Sequence, residues 1–167
     1  MENQNYNIRD VISADAADIA TIYNHYIEKT IITFEEDAVS ETIIAGRIDD
    51  VRLSRLPWLI AEQNGLILGY AYASKWKGRC AYRYSMEVTV YLRPDHIGKG
   101  IGYALYGSLL PALKSQDVHV AVGGIALPND ASVRLHEKMG FRKVAHFKEV
   151  GFKFNRWIDV GYWQRIL

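Results

Sequence analysis

Residues 84–110 read YSMEVTVYLRPDHIGKGIGYALYGSLL, the pattern of a strand, a glycine-rich loop and a helix. The β-branched and aromatic run 88–91 indicates the strand, which Pro94 ends. Ile101, Leu105 and Leu109 then recur at helical spacing. Glycines let backbone N–H groups approach an anion closely, and the first N–H groups of a helix lack partners and lie at the positive end of its dipole. The stretch therefore predicts a site for a phosphate-bearing ligand such as a pyrophosphate.

Length and composition are those of an ordinary globular protein. The chain has 167 residues, 49% hydrophobic and 23% charged, which predicts a single domain over residues 1–167. A formal net charge of +1 leaves no general basic surface for nucleic acid, whose binding depends on neutralising phosphates. No stretch is apolar for long enough to cross a bilayer, and residues 1–7 are neither basic nor apolar. We expect a cytoplasmic protein that binds neither nucleic acid nor membrane.

Cysteine and histidine give no sign of a metal centre. Cys80 is the only cysteine, which excludes an intrachain disulfide and a cysteine-rich metal site. The five histidines show no metal-ligand spacing. Cys80 also lies in a predicted loop without a histidine beside it, so it is a poor candidate for an activated nucleophilic thiolate. We therefore expect neither a metal nor a covalent intermediate on Cys80.

The periodicity of the rest of the chain predicts an α/β (α+β) arrangement with a mixed sheet. Strands are predicted over residues 7–12, 58–62, 66–75, 82–92, 118–122, 141–148 and 160–166, and helices over 14–29, over 40–53, from 100 onward and after Asn129. Asn64-Gly65 is a strong hairpin signal between two of these strands. Pro111 is expected to kink or end the third helix, because it lacks an N–H and clashes with the preceding turn.

The glycine loop resembles the acetyl-CoA loop of the GNAT superfamily of N-acetyltransferases, whose pattern is Arg/Gln-x-x-Gly-x-Gly/Ala. The pattern falls on Ile97, Gly98, Lys99, Gly100, Ile101 and Gly102. Ile97 replaces the usual polar residue, which weakens one side-chain contact but leaves the backbone N–H groups that hold the pyrophosphate. The resemblance covers nearly the whole chain. It implies acetyl-CoA as co-substrate and the GNAT fold, a mostly antiparallel mixed central sheet flanked by helices.

Within that superfamily the sequence is most similar to the phosphinothricin acetyltransferases and the related methionine sulfone and sulfoximine acetyltransferases. The matching segments are Ile22-Tyr23-Asn24, Thr33-Phe34-Glu35, Trp76-Lys77, Val118-His119-Val120, Leu127-Pro128-Asn129-Asp130, Ser132-Val133-Arg134-Leu135-His136-Glu137, Gly151-Phe152-Lys153 and Asp159-Val160-Gly161-Tyr162-Trp163-Gln164. Matches spread this widely are more specific than a glycine loop, which also occurs in nucleotide-binding folds. They imply an enzyme that acetylates the α-amino group of a small amino-acid analogue by direct attack.

Glu87 is the residue that the resemblance assigns as general base. An amine is mostly protonated at neutral pH and cannot attack a thioester until a base, directly or through a water, removes a proton. The residues alone favour a different role, that of a glutamate on the solvated face of an alternating strand. The resemblance favours the base.

Other roles implied by the resemblance each have a plainer alternative. The backbone of Thr89, Val90 and Tyr91 is expected to contact the pantetheine arm, which can add to a sheet like a peptide strand, although core packing also accounts for these residues. Asn129 matches a residue that bonds the pantetheine, and it is nearly as well suited to cap the following helix. His136 stands where many members have a tyrosine that protonates the leaving thiolate. A structural histidine is an equally good interpretation.

Substrate choice is expected to depend on the loop before Glu87 and on the segment around Phe34. Lys77, Arg79 and Arg83 carry the positive charges that suit carboxylate and tetrahedral anionic groups, although each taken singly is more simply an exposed charge on a turn. The expected substrate-binding residues are Phe34, Trp76, Lys77, Gly78, Arg79, Tyr82, Met86 and Val88.

Two alternative functions stay open at this point. A GNAT enzyme could act on a polyamine, an antibiotic or a protein N-terminus, which an acidic pocket would favour and the basic residues around Arg79 disfavour. A CoA-binding module without catalysis would be stabilised by acetyl-CoA and would release no CoA. The apolar content of the closing strands, including Tyr162 and Trp163, and the resemblance together predict a homodimer.

Overall fold

The computed structural model describes residues 6–167 of the chain. In chain order its elements are β1 (Asn7–Asp10), α1 (Ala16–Lys29), α2 (Glu41–Leu53), β2 (Trp58–Gln63), β3 (Leu66–Lys75), β4 (Ser85–Leu92), α3 (Ile101–Lys114), β5 (Val120–Leu127), α4 (Asp130–Lys138), β6 (Arg142–Lys153) and β7 (Arg156–Ile166). Short 3₁₀ turns precede α1, β4 and α3.

The strands described form one sheet in the order β1-β2-β3-β4-β5-β7-β6. Each neighbouring pair is antiparallel except β4 and β5, which are parallel and are joined by the crossover helix α3. The expected mixed, mostly antiparallel sheet with flanking helices is therefore confirmed.

The parallel pair is paired at one end only. Ser85, Met86 and Glu87 of β4 pair with residues 120–122 of β5, and the described pairing between these strands stops there. β4 continues to Leu92 alongside β3, and β5 continues to Leu127 alongside β7. Beyond Glu87 the two strands are thus separated, and the facing backbone edges of both have no strand partner. This opening is the feature around which the site is built.

Two apolar cores lie on opposite faces of the sheet. On one face, Leu105 and Leu109 of α3 pack against Met86 and Val88 of β4. On the other, α1 and α2 cover a second core that includes Tyr91 at its margin. Because side chains alternate along a strand, Glu87 and Thr89 lie on the α1 side, opposite Met86 and Val88.

Pro111 was expected to kink or end the third helix, and the expected end is wrong, because α3 continues to Lys114. Pro111 lies in the last turn of α3. Its missing N–H and its clash with the preceding turn therefore affect only the end of the helix, and the last turn still forms. Strands β5, β6 and β7 are longer than predicted. The glycine pair inside β5 and the bulges between β6 and β7 hide their alternation in the sequence.

The hairpin predicted at Asn64-Gly65 is confirmed, with φ of +50° and +79° at these residues and Gln63 paired with Leu66. A second tight hairpin joins β6 to β7 through Phe154 and Asn155, with φ of +51° and +56°. The sequence did not predict it, because a phenylalanine is an uncommon residue at positive φ.

Candidate active site

The separation of β4 from β5 opens onto three adjoining cavities. A large cleft of about 820 Å³ lies beside the closing strands, a narrow channel of about 220 Å³ lies between β4 and β5, and a helix-side groove of about 480 Å³ lies along α3 and α4. Glu87 and Phe34 line both the large cleft and the narrow channel. Asn129 and Ser132 line both the narrow channel and the groove.

The glycine loop borders the helix-side groove at the start of α3. Gly98 and Gly100 have φ of +82° and +80°, a conformation that glycine adopts without strain, and Gly100 is the N-cap of the helix. The first N–H groups of α3 lack partners within the helix, so they can hold an anion. The groove is lined by the predicted residues Val90, Tyr91, Ile97, Gly98, Gly100, Gly102 and Asn129.

The other three predicted cofactor residues are not among those that line the groove. Thr89 lines the narrow channel and not the groove. The side chain of Ile101 is buried in the α3 core, with 1% exposed, and that of Lys99 is exposed to solvent. The side chain of Ile101 therefore serves packing and that of Lys99 faces water. The backbone groups of both residues remain part of the glycine loop.

Asn129 caps α4 and also lies at the wall of the opening, and its contact with pantetheine stays a prediction. Its side-chain oxygen accepts a hydrogen bond from the N–H of Ser132 at 3.2 Å, which makes it the N-cap of α4. The same residue lines the narrow channel and the groove. The cap holds the side chain at the wall of the opening.

Glu87 is half-buried at the last paired position of β4, where the opening begins. Burial raises the pKa of its carboxyl above the usual value, and the positive charge of Lys77 partly opposes this. A Cβ at Gly124 would lie 3.3 Å from Glu87 Oε1 and 3.3 Å from Tyr162 Cε1, so the glycine leaves room between them. A carboxylate with a raised pKa is a stronger base than a free glutamate.

His136 is buried, and its two ring nitrogens have different partners. Nδ1 lies 2.8 Å from the carbonyl oxygen of Ser132, which can only accept, so Nδ1 carries the proton. Nε2 is then free to accept from the hydroxyl of Tyr106 at 3.2 Å. Burial also lowers the pKa of His136, which favours the neutral ring. The only proton of this neutral ring is committed to the α4 backbone, and the hydroxyl of Tyr106, whose pKa burial raises, lies beside it at the channel wall.

Four predicted substrate residues meet in the large cleft, where Phe34, Trp76, Lys77 and Tyr82 surround the side of Glu87 that faces it. The rings of Trp76 and Tyr82 pack edge to face with centroids 5.4 Å apart. Gly78 and Arg79 lie on the exposed loop and are not among the residues that line the cleft.

Met86 and Val88 are placed by strand alternation on the other side of the sheet. The side chain of Met86 is 6% exposed and packs in the α3 core, so it does not line the large cleft. Val88 is buried in the same core and reaches only the narrow channel.

The sequence missed a wall of the large cleft that comes from the closing strands. Phe147 and Val150 of β6 and Tyr162 of β7 line it, and the rings of Phe147 and Tyr162 pack edge to face. Their signal in the sequence was indirect. The adjacent glycines Gly123 and Gly124 inside a strand mark a place where other groups approach the backbone closely.

Over residues 6–167 the structure has no group of His, Cys, Asp and Glu side chains able to hold a metal ion. None of the helices in the same range combines the length and the apolar character needed to cross a membrane.

Comparison with known proteins identifies the family. A profile of the acetyltransferase (GNAT) domain matches residues 8–161. The phosphinothricin N-acetyltransferase of Streptomyces viridochromogenes is 41% identical over 166 residues, which cover 98% of this chain and 89% of that protein. The L-methionine sulfoximine/L-methionine sulfone acetyltransferase of Salmonella typhimurium is 36% identical, covering 94% of this chain and 92% of that protein.

Structural comparison agrees with the sequence comparison. An acetyltransferase from Salmonella typhimurium, solved with its cofactor acetyl-CoA, superposes with a TM-score of 0.95 at 35% identity and covers 98% of this chain and 95% of its own. The glycine loop, the opening between β4 and β5 and Glu87 beside it are thus found in a chain that belongs to the GNAT family of acetyltransferases.

Proposed function

We propose that this protein moves an acetyl group from acetyl-CoA to the α-amino group of a small amino-acid analogue of the phosphinothricin, methionine sulfoximine or methionine sulfone type. The observation that carries the proposal is the place of Glu87, which lines both the large cleft and the narrow channel. A base there can reach an amine that enters from the cleft while the thioester lies in the channel. Residues 1–167 would act as one acetyltransferase domain.

The groove and the opening together are the proposed binding site of acetyl-CoA. The pyrophosphate binds the N–H groups at the start of α3, beside Gly98 and Gly100. The pantetheine arm runs along the edge of β4 beyond Glu87, where the backbone of Thr89 to Tyr91 has no partner in β5, and adds to the sheet in the manner of a strand. The acetyl group then lies in the narrow channel.

The chemistry is direct transfer. Glu87 takes a proton from the ammonium of the acceptor, and the amine nitrogen forms a bond to the thioester carbon. The nitrogen of the resulting tetrahedral species loses its second proton as the C–S bond breaks, and the expelled thiolate takes up one proton, so the two transfers balance. The proposed relay for that proton is the Tyr106 and His136 pair at the channel wall, in which the hydroxyl of Tyr106 is hydrogen-bonded to Nε2 of His136. Cys80 is exposed and is not among the residues that line the cleft or the channel, in keeping with transfer without an acyl-enzyme.

The large cleft suits an amino acid with an apolar or tetrahedral side chain. Lys77 supplies a positive charge next to Glu87, which can pair with the acceptor carboxylate. Aromatic and aliphatic groups, among them Phe34, Trp76 and Tyr162, form the rest of the wall. A polyamine would bring further positive charges towards Lys77, so this acceptor class is disfavoured.

Turnover with a panel of amines tests the acceptor class. We expect CoA release and a matching amount of N-acetyl product with phosphinothricin, methionine sulfone and methionine sulfoximine, and far less with spermidine or a peptide N-terminus. CoA can be followed by its free thiol and the product by mass spectrometry. Release with spermidine alone would favour another amine as acceptor. A rise in Tm with acetyl-CoA without CoA release from any amine would favour a non-catalytic module.

The homodimer and the cytoplasmic location stay predictions from the sequence. For the homodimer, the exposed apolar side chains differ from those expected. Trp163 is buried, with 2% exposed, and Tyr162 faces the large cleft. Away from the large cleft, the β6–β7 hairpin exposes the apolar side chains of Phe152, Phe154 and Trp157 near its turn. A patch of this kind on one hairpin is suited to contact with a second copy of the chain.

Sedimentation equilibrium tests the homodimer. Wild-type protein is expected at twice the chain mass of 19.0 kDa, and Phe152→Glu is expected to shift it towards a single chain, because the ring of Phe152 packs on that of Trp157 in the exposed patch. Leu53→Glu is the matched control, since Leu53 is an exposed apolar side chain at the end of α2. A wild-type protein that sediments as one chain contradicts the homodimer.

A further inference from the structure

The end of the β6–β7 hairpin has two different faces. Gly151 and Lys153 are buried, whereas Phe152 and Phe154 between and after them are exposed. The buried face lies against the α1–α2 loop, residues 30–40, which contains Phe34. The hairpin is therefore in contact with a segment that lies far from it in the sequence and that forms one wall of the site.

Two contacts fix this segment from the hairpin side. The ammonium of Lys153, whose residue is 3% exposed, donates a hydrogen bond to the backbone carbonyl of Thr33 at 2.8 Å. The ring of Phe34 lies over Gly151, where an added Cβ would come within 2.3 Å of Phe34 Cζ. Both contacts act on consecutive residues of the loop.

The same segment is held from the other side by helices α1 and α2. The hydroxyl of Thr33 bonds that of Tyr23 at 2.7 Å, and Tyr23 donates to Glu35 at 2.9 Å. Glu35 in turn accepts two hydrogen bonds from Arg47, at 2.8 and 3.0 Å. Phe34 thus lies between a set of contacts from the helices and one from the hairpin.

Burying a lysine side chain to join two segments costs free energy. Lysine is almost never fully buried unless it is paired, since its ammonium loses hydration. Here burial lowers the pKa of Lys153, while the charges of Glu36 and Glu35 oppose this shift. An apolar side chain would fill the space without that cost, so the hydrogen bond to the Thr33 carbonyl points to a need for defined geometry in the loop.

We propose that Lys153 is a positioning residue for the acceptor: by holding the Thr33 carbonyl, it sets the place of the Phe34 ring at the boundary between the large cleft and the narrow channel. Lys153 itself does not line these cavities. The inference rests on the proposed function only in that the large cleft receives the acceptor. It assigns the turn end of the hairpin an indirect part in acceptor binding, in addition to the cleft wall formed by Phe147, Val150 and Tyr162.

Lys153→Met tests the proposal, since it keeps an unbranched apolar chain and removes the hydrogen bond. We expect the KM for the acceptor to rise about tenfold, because small displacements at a site cost this much or more. The KM for acetyl-CoA is expected to rise much less, since the groove is lined mainly by β4, the glycine loop, α3 and α4, and of residues 30–40 only Ile32 reaches it. Lys148→Met, at an exposed position of the same strand, is the matched control and should change neither constant.

Hydrogen exchange gives a second readout that needs no acceptor. Lys153→Met is expected to speed exchange of the amides of residues 31–36 and to leave those of the α3 start, residues 101–105, unchanged. Gly151→Ala displaces Phe34 from the same side and is expected to raise the acceptor KM in the same way. Unchanged exchange in residues 31–36, or equal increases in both KM values, would overturn the proposal.

Failure of the proposed acceptor class gives a different result from failure of the positioning role of Lys153. If wild-type protein acetylates none of the three acceptors, the acceptor class is wrong, and exchange in residues 31–36 alone decides whether Lys153 holds the loop. If wild-type protein turns over and Lys153→Met has wild-type constants and exchange, the positioning role is wrong and the acceptor class stands.

Discussion

Glu87→Gln is expected to lower kcat at neutral pH by a factor of about 10² or more, the usual contribution of a general base. Glutamine keeps the size of the side chain beside Gly124 and Tyr162 but cannot take a proton from the ammonium. Steady-state rates of CoA release with methionine sulfone measure the loss. Glu28→Gln, at an exposed position of α1, is the matched control and should leave kcat unchanged.

The pH dependence separates a base from a binding group. Because burial raises the pKa of Glu87, the wild-type rate is expected to fall on acidification as this carboxyl takes up a proton, above the pH at which a free glutamate would do so. In Glu87→Gln that limb is absent, and the rate rises with pH as free amine accumulates, so the gap to wild type narrows. A deficit that stays constant across the pH range would contradict the role as base.

The raised pKa of Glu87 also affects the free energy of unfolding. A pKa that is raised in the folded state means that ionisation of Glu87 disfavours the fold, so its stabilising contribution is complete below the unfolded pKa and is lost as pH rises through the folded pKa. Glu87→Gln is therefore expected to have a Tm at pH 7 equal to or above that of wild type, with the difference vanishing in acid. A large drop in Tm at pH 7 would mean that the loss of activity reflects unfolding.

Gly123→Ala is expected to have the second large effect, on stability and on activity together. The added Cβ would lie 2.4 Å from Nε2 and 2.7 Å from Cδ2 of His136, a buried ring fixed by its bond to the Ser132 carbonyl. Overpacking of this kind costs about 1–3 kcal/mol of unfolding free energy. Displacing His136 also removes the acceptor of the Tyr106 hydroxyl, so we expect kcat to fall with the Tm.

Gly46→Ala is the control for the loss of a glycine as such. Gly46 is exposed within α2, and an added Cβ there meets nothing within 4 Å. Alanine is favoured over glycine in a helix by about 0.5–1 kcal/mol, so this variant should be slightly more stable than wild type. Urea unfolding monitored by circular dichroism gives both free energies. Equal stabilities for the two variants would show that β5 and α4 can separate without cost.

The sequence predicted most of the fold because its signals are local. The Asn64-Gly65 turn, the glycine loop and the alternation of residues 84–92 each state a backbone conformation within a few residues. Phe34, Trp76, Lys77 and Tyr82 were predicted to bind the substrate, and the structure brings them together with Glu87 in the large cleft. These residues come from the two segments named as substrate-binding.

The parts of the fold and of the site that the sequence did not predict depend on pairing between distant segments. The sheet order places β7 between β5 and β6, and this order brings Tyr162 and Phe147 to the cleft. No local signal states which of two closing strands will pair with β5. The misplaced Met86 is a different case, since alternation along β4 already implies that it faces away from Glu87.

The separation of β4 from β5 also bears on aggregation. Beyond Glu87 the two strands carry backbone edges that lack a strand partner, in the middle of the sheet and far from its margins at β1 and β6. Unpaired edges are templates for strands of other chains. An intruding strand must lie about 4.8 Å from each neighbour, and it cannot enter where β4 and β5 are already paired at residues 85–87 and 120–122. A slender pantetheine arm can lie between the separated strands beyond Glu87. In the proposed complex the acetyl donor therefore also protects these edges from other chains.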